Sequence, residues 1–342
     1  MSKSKKKNGK TIITIIVSLI FAGVFMYLAT RGLQWEEIKK SLAKANYAWV
    51  LGAAFFGILA YWVRAIRWNL LLEPMGYRIS NANALWSLSF GYLMNLTIPR
   101  SGELARSTAL YSVEKVPVDQ SFGTIILERV VDLLCMMVFL GLTLLFKYDA
   151  IIAFYQMASD QKQDTLSSQN TTWQWVVSIV LLVLVLLFLV FRKKLQATSI
   201  YKKIANILHG ILDGLKSILK LKQKVKFIFL TVGIWVCYYL ATYLVFFALP
   251  ETSQLTIVDG FFVVVVGTLG MMVPASGGIG AFHFALKLGF MALFFSMGLS
   301  PEAGGNIGLS YAFIAHTMQL VIMLVMGLIS IPMLAKSRRV TL

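Results

Sequence analysis

The chain has 342 residues, of which 58% are hydrophobic and only 14% charged, and its mean hydropathy is +0.74. Soluble domains have about 45–50% apolar and about 25% charged residues, so this composition excludes an ordinary soluble protein and indicates a polytopic membrane protein. The formal net charge is +17, but no nucleic-acid-binding motif accompanies it, and we expect no nucleic-acid partner.

Six apolar stretches are long enough to cross a bilayer, which takes about 20 helical residues. They cover 11–30, 46–66, 120–146, 173–192, 227–249 and 307–334. Two further apolar regions, 84–112 and 258–298, are interrupted by proline and glycine. The sequence therefore predicts an all-α polytopic membrane protein with about six full spans and two broken, re-entrant-like helical segments. It leaves open whether 279–298 spans the membrane fully.

The distribution of basic residues predicts which loops face the cytoplasm. If the Lys-rich N-terminus is inside and each broken region enters and leaves on one face, the cytoplasmic segments hold 24 Lys and Arg and the external segments hold 6. Cytoplasmic loops of membrane proteins carry such an excess of positive charge. We therefore expect a multi-pass protein of the bacterial inner membrane with both termini in the cytoplasm.

The predicted organisation consists of two membrane halves and their flanking segments. A basic N-terminus, a first half, an external loop, a second half and a basic C-terminus cover 1–10, 11–146, 147–172, 173–334 and 335–342. In the second half, apolar residues at spacings of three and four, opposite lysines, predict a basic amphipathic helix over 201–222. Such a helix either lies on the anionic inner leaflet or packs against the spans with its lysines in water.

The two broken regions carry a similar phrase. IPRSGELA, at 98–105, aligns with VPASGGIG, at 273–280. The alignment matches proline, serine and glycine in both copies: Pro99, Ser101 and Gly102 with Pro274, Ser276 and Gly277. Each copy follows two full spans and precedes one, and the two halves start on opposite sides. This pattern predicts an inverted repeat, in which broken helices at matching positions mark a site near the bilayer midplane.

The residue types at the breaks predict where helices stop and start. Proline ends an incoming helix near Ile98 or Val273. Serine suits an N-cap, glycine lets the backbone bend, and a new helix would start at Gly102 or Gly277. The unpaired N–H groups and positive dipole end of such a helix can receive an anion such as phosphate. The alternative is that the breaks only let helices pack closely.

Ionisable residues accompany the first break and the following span. Arg100 and Arg106 are candidates for a bidentate grip on a phosphate. In LERVVDLL, Glu128 and Asp132 share one helical face, and Arg129 lies within reach of Asp132. Ionisable groups in spans face a cavity or pair with one another, so a structural ion pair between two helices is the alternative.

Two other groups of basic residues have competing interpretations. Arg64 and Arg67, in YWVRAIRW, are interpreted as anchors at the inner membrane interface, where aromatic and basic residues concentrate. His283 and Lys287 share a helical face, and His316 lies in the last span. These three residues either relay protons or contact a headgroup, or the histidines are hydrogen-bonded structural residues.

IPRSGELAR, LERVVDLL and VPASGGIGAFHFALKLG together resemble the lysylphosphatidylglycerol synthase transmembrane-region family, a flippase-like membrane module, over about residues 11–334. The resemblance implies functional roles at the matching positions Gly102, Glu103, Arg106, Glu128, Arg129, Asp132, Pro274, Gly277, Gly278 and Gly280. It also implies movement of an aminoacylated phospholipid between leaflets, with a separate soluble domain making that lipid. Ten residues follow Pro332, too few for such a domain, so we expect a stand-alone member without it. His283 and His316 depart from the family pattern, which often has an acidic residue and an arginine there.

The sequence thus predicts an integral membrane lipid transporter, or flippase, for an anionic phospholipid or a polyprenyl-phosphate-linked amphiphile. The candidate substrate-binding residues are Arg100, Ser101, Gly102, Glu103, Arg106, Glu128, Arg129, Asp132, Pro274, Ser276, Gly277, Gly278, Gly280, His283, Lys287 and His316. We expect no catalytic residue, metal or cofactor, because the three histidines form no known catalytic signature. The alternatives are an intramembrane lipid-modifying enzyme, since relatives carry a lysyltransferase label, and a non-transporting scaffold. The oligomeric state is not predicted.

Overall fold

The computed structural model describes residues 16, 20, 23–28, 35–165 and 221–341. Regular secondary structure in these residues is helical, which confirms the all-α class. Of the described residues, those up to 157 and from 221 onward form one compact unit, and 158–165 belong to a second. The predicted span 173–192 lies outside the described residues, as do most of the span 11–30 and of the amphipathic helix 201–222.

Ten helices, α1 to α10, make up most of the described chain. They run over Trp35–Lys44, Tyr47–Leu72, Asn81–Thr97, Gly102–Glu114, Val118–Phe146, Tyr148–Thr165, Lys224–Phe246, Ile257–Met272, Ala281–Ser296 and Pro301–Thr341. Short 3₁₀ turns lie at Glu73–Met75, Pro250–Thr252 and Ser276–Gly278. Within the segment predicted as an external loop, 147–172, the helix α6 occupies Tyr148–Thr165.

Five helical stretches of the described residues are long and apolar enough to cross a membrane. They are Tyr47–Met75, Val118–Phe146, Lys224–Phe246, Ser276–Ser296 and Pro301–Arg338. Four of them coincide with spans predicted from the sequence. The fifth belongs to the second broken region, where α9 has 16 residues and is therefore about 24 Å long, against about 30 Å for a hydrocarbon core.

The outward faces of these helices are apolar and exposed. On α5, Leu133, Leu134, Met137 and Val138 are each more than half exposed. A contiguous apolar surface of this kind indicates contact with lipid or with another protein. Together with the long apolar helices, it supports a multi-pass membrane protein.

Helices α2 and α7, which occupy matching positions in the predicted repeat, pack side by side in antiparallel directions. A Cβ atom added at Gly52 would lie 3.6 Å from the side chain of Leu244, and one added at Gly233 would lie 3.8 Å from that of Val63. As the residue number of the contact rises along α2, the residue number of its partner on α7 falls, so the two helices run in opposite directions. An inverted repeat requires this opposite orientation of equivalent helices.

Each broken region folds as a helical hairpin. In the first, α3 and α4 approach closely at glycine: a Cβ atom at Gly91 would lie 3.0 Å from the Cβ atom of Arg106. In the second, a Cβ atom at Gly270 would lie 2.8 Å from the Cβ atom of Ala285. The first hairpin follows the C-terminal end of α2, and the second follows the C-terminal end of the antiparallel α7. The two hairpins therefore enter the bundle from opposite ends.

The tips of the two hairpins meet inside the bundle. Arg100, in the first break, donates a hydrogen bond from Nη2 to the carbonyl oxygen of Met272, at the end of α8, over 3.2 Å. A Cβ atom at Gly277, in the second break, would lie 3.0 Å from the side chain of Leu96. The two phrases that match in sequence are thus neighbours in space.

The helix ends at the breaks confirm part of the sequence prediction. Helix α3 ends at Thr97 and α8 at Met272, directly before the residues where proline was expected to stop them. Helix α4 begins at Gly102, as predicted. The predicted start at Gly277 is wrong, because the glycines of this break take φ values of +60° to +80° and α9 begins only at Ala281.

The last helix of each half packs against the hairpin of the other half. Helix α10 contacts α3, where a Cβ atom at Gly327 would lie 2.5 Å from the Cβ atom of Leu93. Helix α5 contacts α8, where the rings of Phe139 and Phe261 have centroids 5.6 Å apart. Each hairpin is therefore packed against the last helix of the other half.

We expect Gly102→Ala to lower the free energy of unfolding by about 1–3 kcal/mol, because overpacking a tight contact forces the neighbours apart. An added Cβ atom at Gly102 would lie 2.5 Å from the carbonyl oxygen of Gly91 and even closer to the side chain of Asn95. Gly123→Ala is the matched control, because a Cβ atom there meets nothing within 4 Å and alanine favours a helix. Thermal unfolding in detergent measures both, and equal midpoints would contradict the packing described.

Candidate functional site

Five charged side chains from three helices form one buried group. Arg64 and Arg67 come from α2, Arg106 from α4, and Glu128 and Asp132 from α5. Arg67 and Glu128 are fully buried, Arg64 and Arg106 are 4% exposed, and the Asp132 side chain is 15% exposed. The spacings of three and four residues place the two arginines of α2 on one face of that helix and the two carboxylates of α5 on one face of theirs. We call these five residues the arginine network.

Each carboxylate of the arginine network lies between two guanidinium groups. Asp132 accepts hydrogen bonds from Nη2 of Arg64 and, over 2.9 Å, from Nη2 of Arg67. Arg106 donates from Nη1 to Oε2 of Glu128 over 2.6 Å, and Nη2 of Arg67 lies 3.7 Å from Oε1 of the same carboxylate. The predicted common face of Glu128 and Asp132 is confirmed, because Arg67 reaches both.

Neutral side chains complete the surroundings of the arginines. Arg64 donates to the hydroxyl of Tyr238 over 2.6 Å. The guanidinium carbon of Arg106 lies 3.6 Å from the ring centroid of Trp68, and Trp68 donates to the hydroxyl of Thr124 over 2.9 Å. Since these neighbours carry no charge, the arginine network has three cations, two anions and a formal charge of +1.

Arg106 has hydrogen-bond donors that the described part of the chain does not satisfy. Its Nε and Nη2 atoms are buried and find no acceptor among the described residues. A buried donor without a partner costs free energy. Nearby, Arg106 lines a cavity of about 10 Å³ together with Asn95, Glu103 and Arg129, which is roughly the space of one water molecule.

Arg129 and Glu103 form a separate and more exposed ion pair at this cavity. Their Nη2 and Oε1 atoms lie 2.9 Å apart, and the side chains are 49% and 27% exposed. Arg129, which the spacing placed within reach of Asp132, instead pairs with Glu103 of α4, and α2 supplies the hydrogen-bond partners of Asp132.

The interpretation of Arg64 and Arg67 as interface anchors is also wrong. Both are buried and pair with carboxylates of α5. Sequence reasoning did not find this contact because more than 60 residues separate the partners along the chain. Two arginines three residues apart within an apolar helix were the available signal, since ionisable residues in spans usually face the bundle interior.

The first break is closed by side chains rather than open to a ligand. Ser101 donates from Oγ to the carbonyl oxygens of Met94 and Ile98, over 3.1 and 2.7 Å, so it completes α3 and does not cap α4 through its side chain. Asn95 accepts from the backbone N–H of Gly102 over 2.7 Å. The expectation that this N–H is free for an anion is therefore wrong, and Asn95 is a residue that the sequence analysis missed.

Arg100 and Arg106 do not converge on one point. Arg100 is exposed, takes a φ of +59° and donates to the carbonyl oxygen of Met272, whereas Arg106 is buried against Glu128. The predicted joint grip of these two arginines on a phosphate is wrong. Arg100 instead joins the two hairpins, and this contact accompanies a backbone conformation that costs a non-glycine residue about 1–2 kcal/mol.

The second break lies against two histidines. The Nε2 atom of His316 lies 2.8 Å from the carbonyl oxygen of Gly277, and the rings of His283 and His316 have centroids 5.0 Å apart. Both histidines are buried, and Lys287 follows one turn along α9, half-buried. The sequence prediction grouped these three residues, and the structure brings the two histidines together beside the break.

The remaining predicted positions of the second break differ in exposure. Pro274 is exposed, Ser276, Gly278 and Gly280 are buried, and Gly277 is intermediate. Each of the three glycines has a positive φ, which glycine adopts without steric cost. They shape the turn between α8 and α9. In the described part of the chain, no cluster of three His, Cys, Asp or Glu residues is arranged to hold a metal ion.

Comparison with known proteins gives a family and two relatives. Residues 15–334 match the family described as lysylphosphatidylglycerol synthase TM region. A UPF0104 membrane protein of Methanocaldococcus jannaschii is 29% identical over 131 residues, which are 37% of this chain and 38% of that protein. The glycosyltransferase AglD of Haloferax volcanii is 24% identical over 305 residues, 82% of this chain and 49% of that protein. The chain thus spans less than half of each relative, and no solved structure matches it.

We expect Glu128→Gln to lower the free energy of unfolding by about 3–5 kcal/mol, because removing one partner of a buried ion pair leaves an uncompensated charge. Glu103→Gln, the same change in the exposed pair with Arg129, is expected to cost about 0–1 kcal/mol. Thermal or chemical unfolding in one detergent compares the two variants. Similar losses in both would mean that the arginine network does not stabilise the fold in the way described.

Proposed function

Because the chain belongs to the lysylphosphatidylglycerol synthase transmembrane-region family, we propose that it is a membrane transporter that moves an anionic amphiphile across the bilayer. The substrate class is a phospholipid or a polyprenyl-phosphate-linked lipid. The observation that carries the proposal is the buried excess of one positive charge in the arginine network. A phosphate group supplies the missing negative charge.

Electrostatics supports an anionic ligand at Arg106. An uncompensated charge is costly in a low-dielectric interior, and an anion beside the network neutralises it. The free Nε and Nη2 donors of Arg106 suit two oxygens of a phosphate, which guanidinium groups bind in a bidentate manner. In this proposal Glu128 and Asp132 hold the arginines in position, and Glu103 and Arg129 stand at the approach to the site.

The size of the cavity implies that the described conformation is closed. About 10 Å³ is far below the roughly 300 Å³ of the smaller ligand pockets, so a headgroup enters only when the first hairpin moves. The two hairpins enter from opposite ends and touch at their tips, through Arg100 and Met272. This arrangement suits alternating access, in which one repeat moves against the other around a central site.

The second hairpin has a different role in the proposed cycle. His283 and His316 lie beside Gly277 of the second break, and each imidazole ring has one nitrogen that donates and one that accepts a hydrogen bond. We assign them to proton-dependent steps or to headgroup contact, with Lys287 one turn away. The acyl tails stay in lipid along the exposed apolar faces. The cytoplasmic location of both termini and the bacterial inner membrane stay predictions.

A second candidate function is handling of a lipid-linked sugar. The alignment with glycosyltransferase AglD covers 82% of this chain, which makes a polyprenyl-phosphate sugar a substrate to test for both transport and chemistry. Incubation of the purified protein with such a lipid and an acceptor lipid, followed by mass spectrometry, separates the two. A new glycosylated product would favour an enzyme, and unchanged lipids would favour transport.

We expect the wild-type protein in liposomes to accelerate the transbilayer movement of a fluorescent phosphatidylglycerol relative to a fluorescent phosphatidylcholine. A membrane-impermeant quencher of the outer-leaflet fluorescence measures the rate. The variant Arg106→Gln with Glu128→Gln should lower this rate by about tenfold or more, because charge-assisted hydrogen bonds to the phosphate are lost. The double change removes one charge of each sign, so Arg64 and Arg67 keep their ion pairs with Asp132 and the formal charge of the network stays +1.

The control replaces another ion pair in the same way. Lys39→Gln with Glu36→Gln removes the exposed pair on α1, whose Nζ and Oε1 atoms lie 2.9 Å apart, and should leave the rate unchanged. Equal rates for this control and the network variant, or no acceleration by the wild-type protein over empty liposomes, would overturn the proposed function. Unfolding midpoints of all variants check that each sample is folded.

A further inference from the structure

A second cavity, of about 290 Å³, lies between α1, the first turns of α10 and the 3₁₀ turn Pro250–Thr252. Its lining residues are Lys40, Ser41, Lys44, Glu251, Ala303, Asn306, Ile307 and Ser310. The cavity is at the N-terminal end of α2, whereas Arg64 and Arg67 lie in the C-terminal half of that helix. It is therefore separate from the arginine network, and the proposed transport does not use it.

Charges of both signs line this cavity without pairing. Lys40 and Lys44 stand one turn apart on α1 and are exposed. The Oε2 atom of Glu251 is buried and has no hydrogen-bond partner among the described residues. No ion pair within 4.0 Å joins Glu251 to either lysine in the described structure. Glu251 lines the cavity, and a carboxylate with an unpaired oxygen favours a cationic or donor group from a ligand.

Further polar groups point to a built site. Ser41 is 8% exposed, and its Oγ atom is buried without a hydrogen-bond partner in the part of the chain that the structure describes. Ala303, Asn306, Ile307 and Ser310 follow one face of α10, near its N-terminus. The positive dipole end of a helix favours an anion nearby. The two lysines and this helix end therefore form the anion-attracting side of the cavity.

We propose that this cavity binds a zwitterionic group that carries a phosphate and a primary ammonium, of which phosphoethanolamine is the simplest example. The phosphate lies toward Lys40, Lys44 and the start of α10, and the ammonium donates to Glu251, with Ser41 completing its hydrogen bonds. The volume is close to the lower limit of about 300 Å³ for ligand pockets, which suits a headgroup-sized ligand. The group belongs either to a phospholipid or to a free small molecule. The inference goes beyond the proposed transport and does not depend on it.

Equilibrium binding of two soluble probes tests the charge pattern. Phosphoethanolamine carries both charges, and glycerol phosphate carries the anion alone. Calorimetry on the purified protein in maltoside micelles should show tighter binding of phosphoethanolamine. Glu251→Gln should weaken phosphoethanolamine about tenfold, through loss of a charge-assisted hydrogen bond, and leave glycerol phosphate unchanged or tighter. Lys40→Gln with Lys44→Gln should weaken both probes.

Lys39→Gln is the matched control, because Lys39 lies on the same helix and pairs with Glu36 outside the cavity. It should change neither affinity. Failure of both probes to bind, or equal affinities in Glu251→Gln, Lys39→Gln and the wild-type protein, would overturn the proposal. Because the measurement is at equilibrium, a protein that fails to transport lipid still gives a decisive result.

The source of the ligand is tested separately in lipid nanodiscs. If the group is a lipid headgroup, native mass spectrometry should show phosphatidylethanolamine retained by the wild-type protein and lost from Glu251→Gln. If it is a free molecule, retention should be equal in the two proteins while the calorimetric difference persists. Either result supports the zwitterion site and identifies what fills it.

Discussion

The burial of three arginines with two carboxylates constrains the rest of the structure. Burying these charges is tolerable only if α2, α4 and α5 keep their guanidinium and carboxylate groups within hydrogen-bond distance of one another. That requirement fixes the depth of the first hairpin in the bundle, because Arg106 is the contribution of α4. The close approach at Gly91 and Gly102 then follows, since side chains larger than hydrogen would push α4 away from Glu128.

The second half of the chain forms the same kind of hairpin, but different residues lie beside its turn. Its hairpin also enters from one end and turns at a proline and glycine phrase, but two buried histidines, His283 and His316, lie beside that turn. His316 contacts the backbone at Gly277 directly. The repeat is therefore symmetric in its helices and asymmetric in its charges, with a buried ion network on one side and two buried histidines on the other.

The sequence predicted the fold better than the contacts of the site. Apolar length and proline position gave the described spans and the ends of α3 and α8, because these depend on local chemistry. The partners of Arg64, Arg67 and Arg129 depend on how distant helices pack, which spacing along one helix cannot specify. The start of α9 shifted to Ala281 because three glycines with positive φ extend the turn, whereas in the first break Arg100 is the residue with a positive φ.

The reciprocal packing of α10 on α3 and of α5 on α8 has a consequence for biosynthesis. When the ribosome has released the first half, the first hairpin still lacks its cover, since Leu93 meets Gly327 only after the last helix has been made. The nascent chain must keep a hairpin with buried charges in the translocon or against lipid until synthesis is nearly complete. Deletion of the C-terminal helix should therefore mark the whole protein, and not just its second half, for membrane quality control.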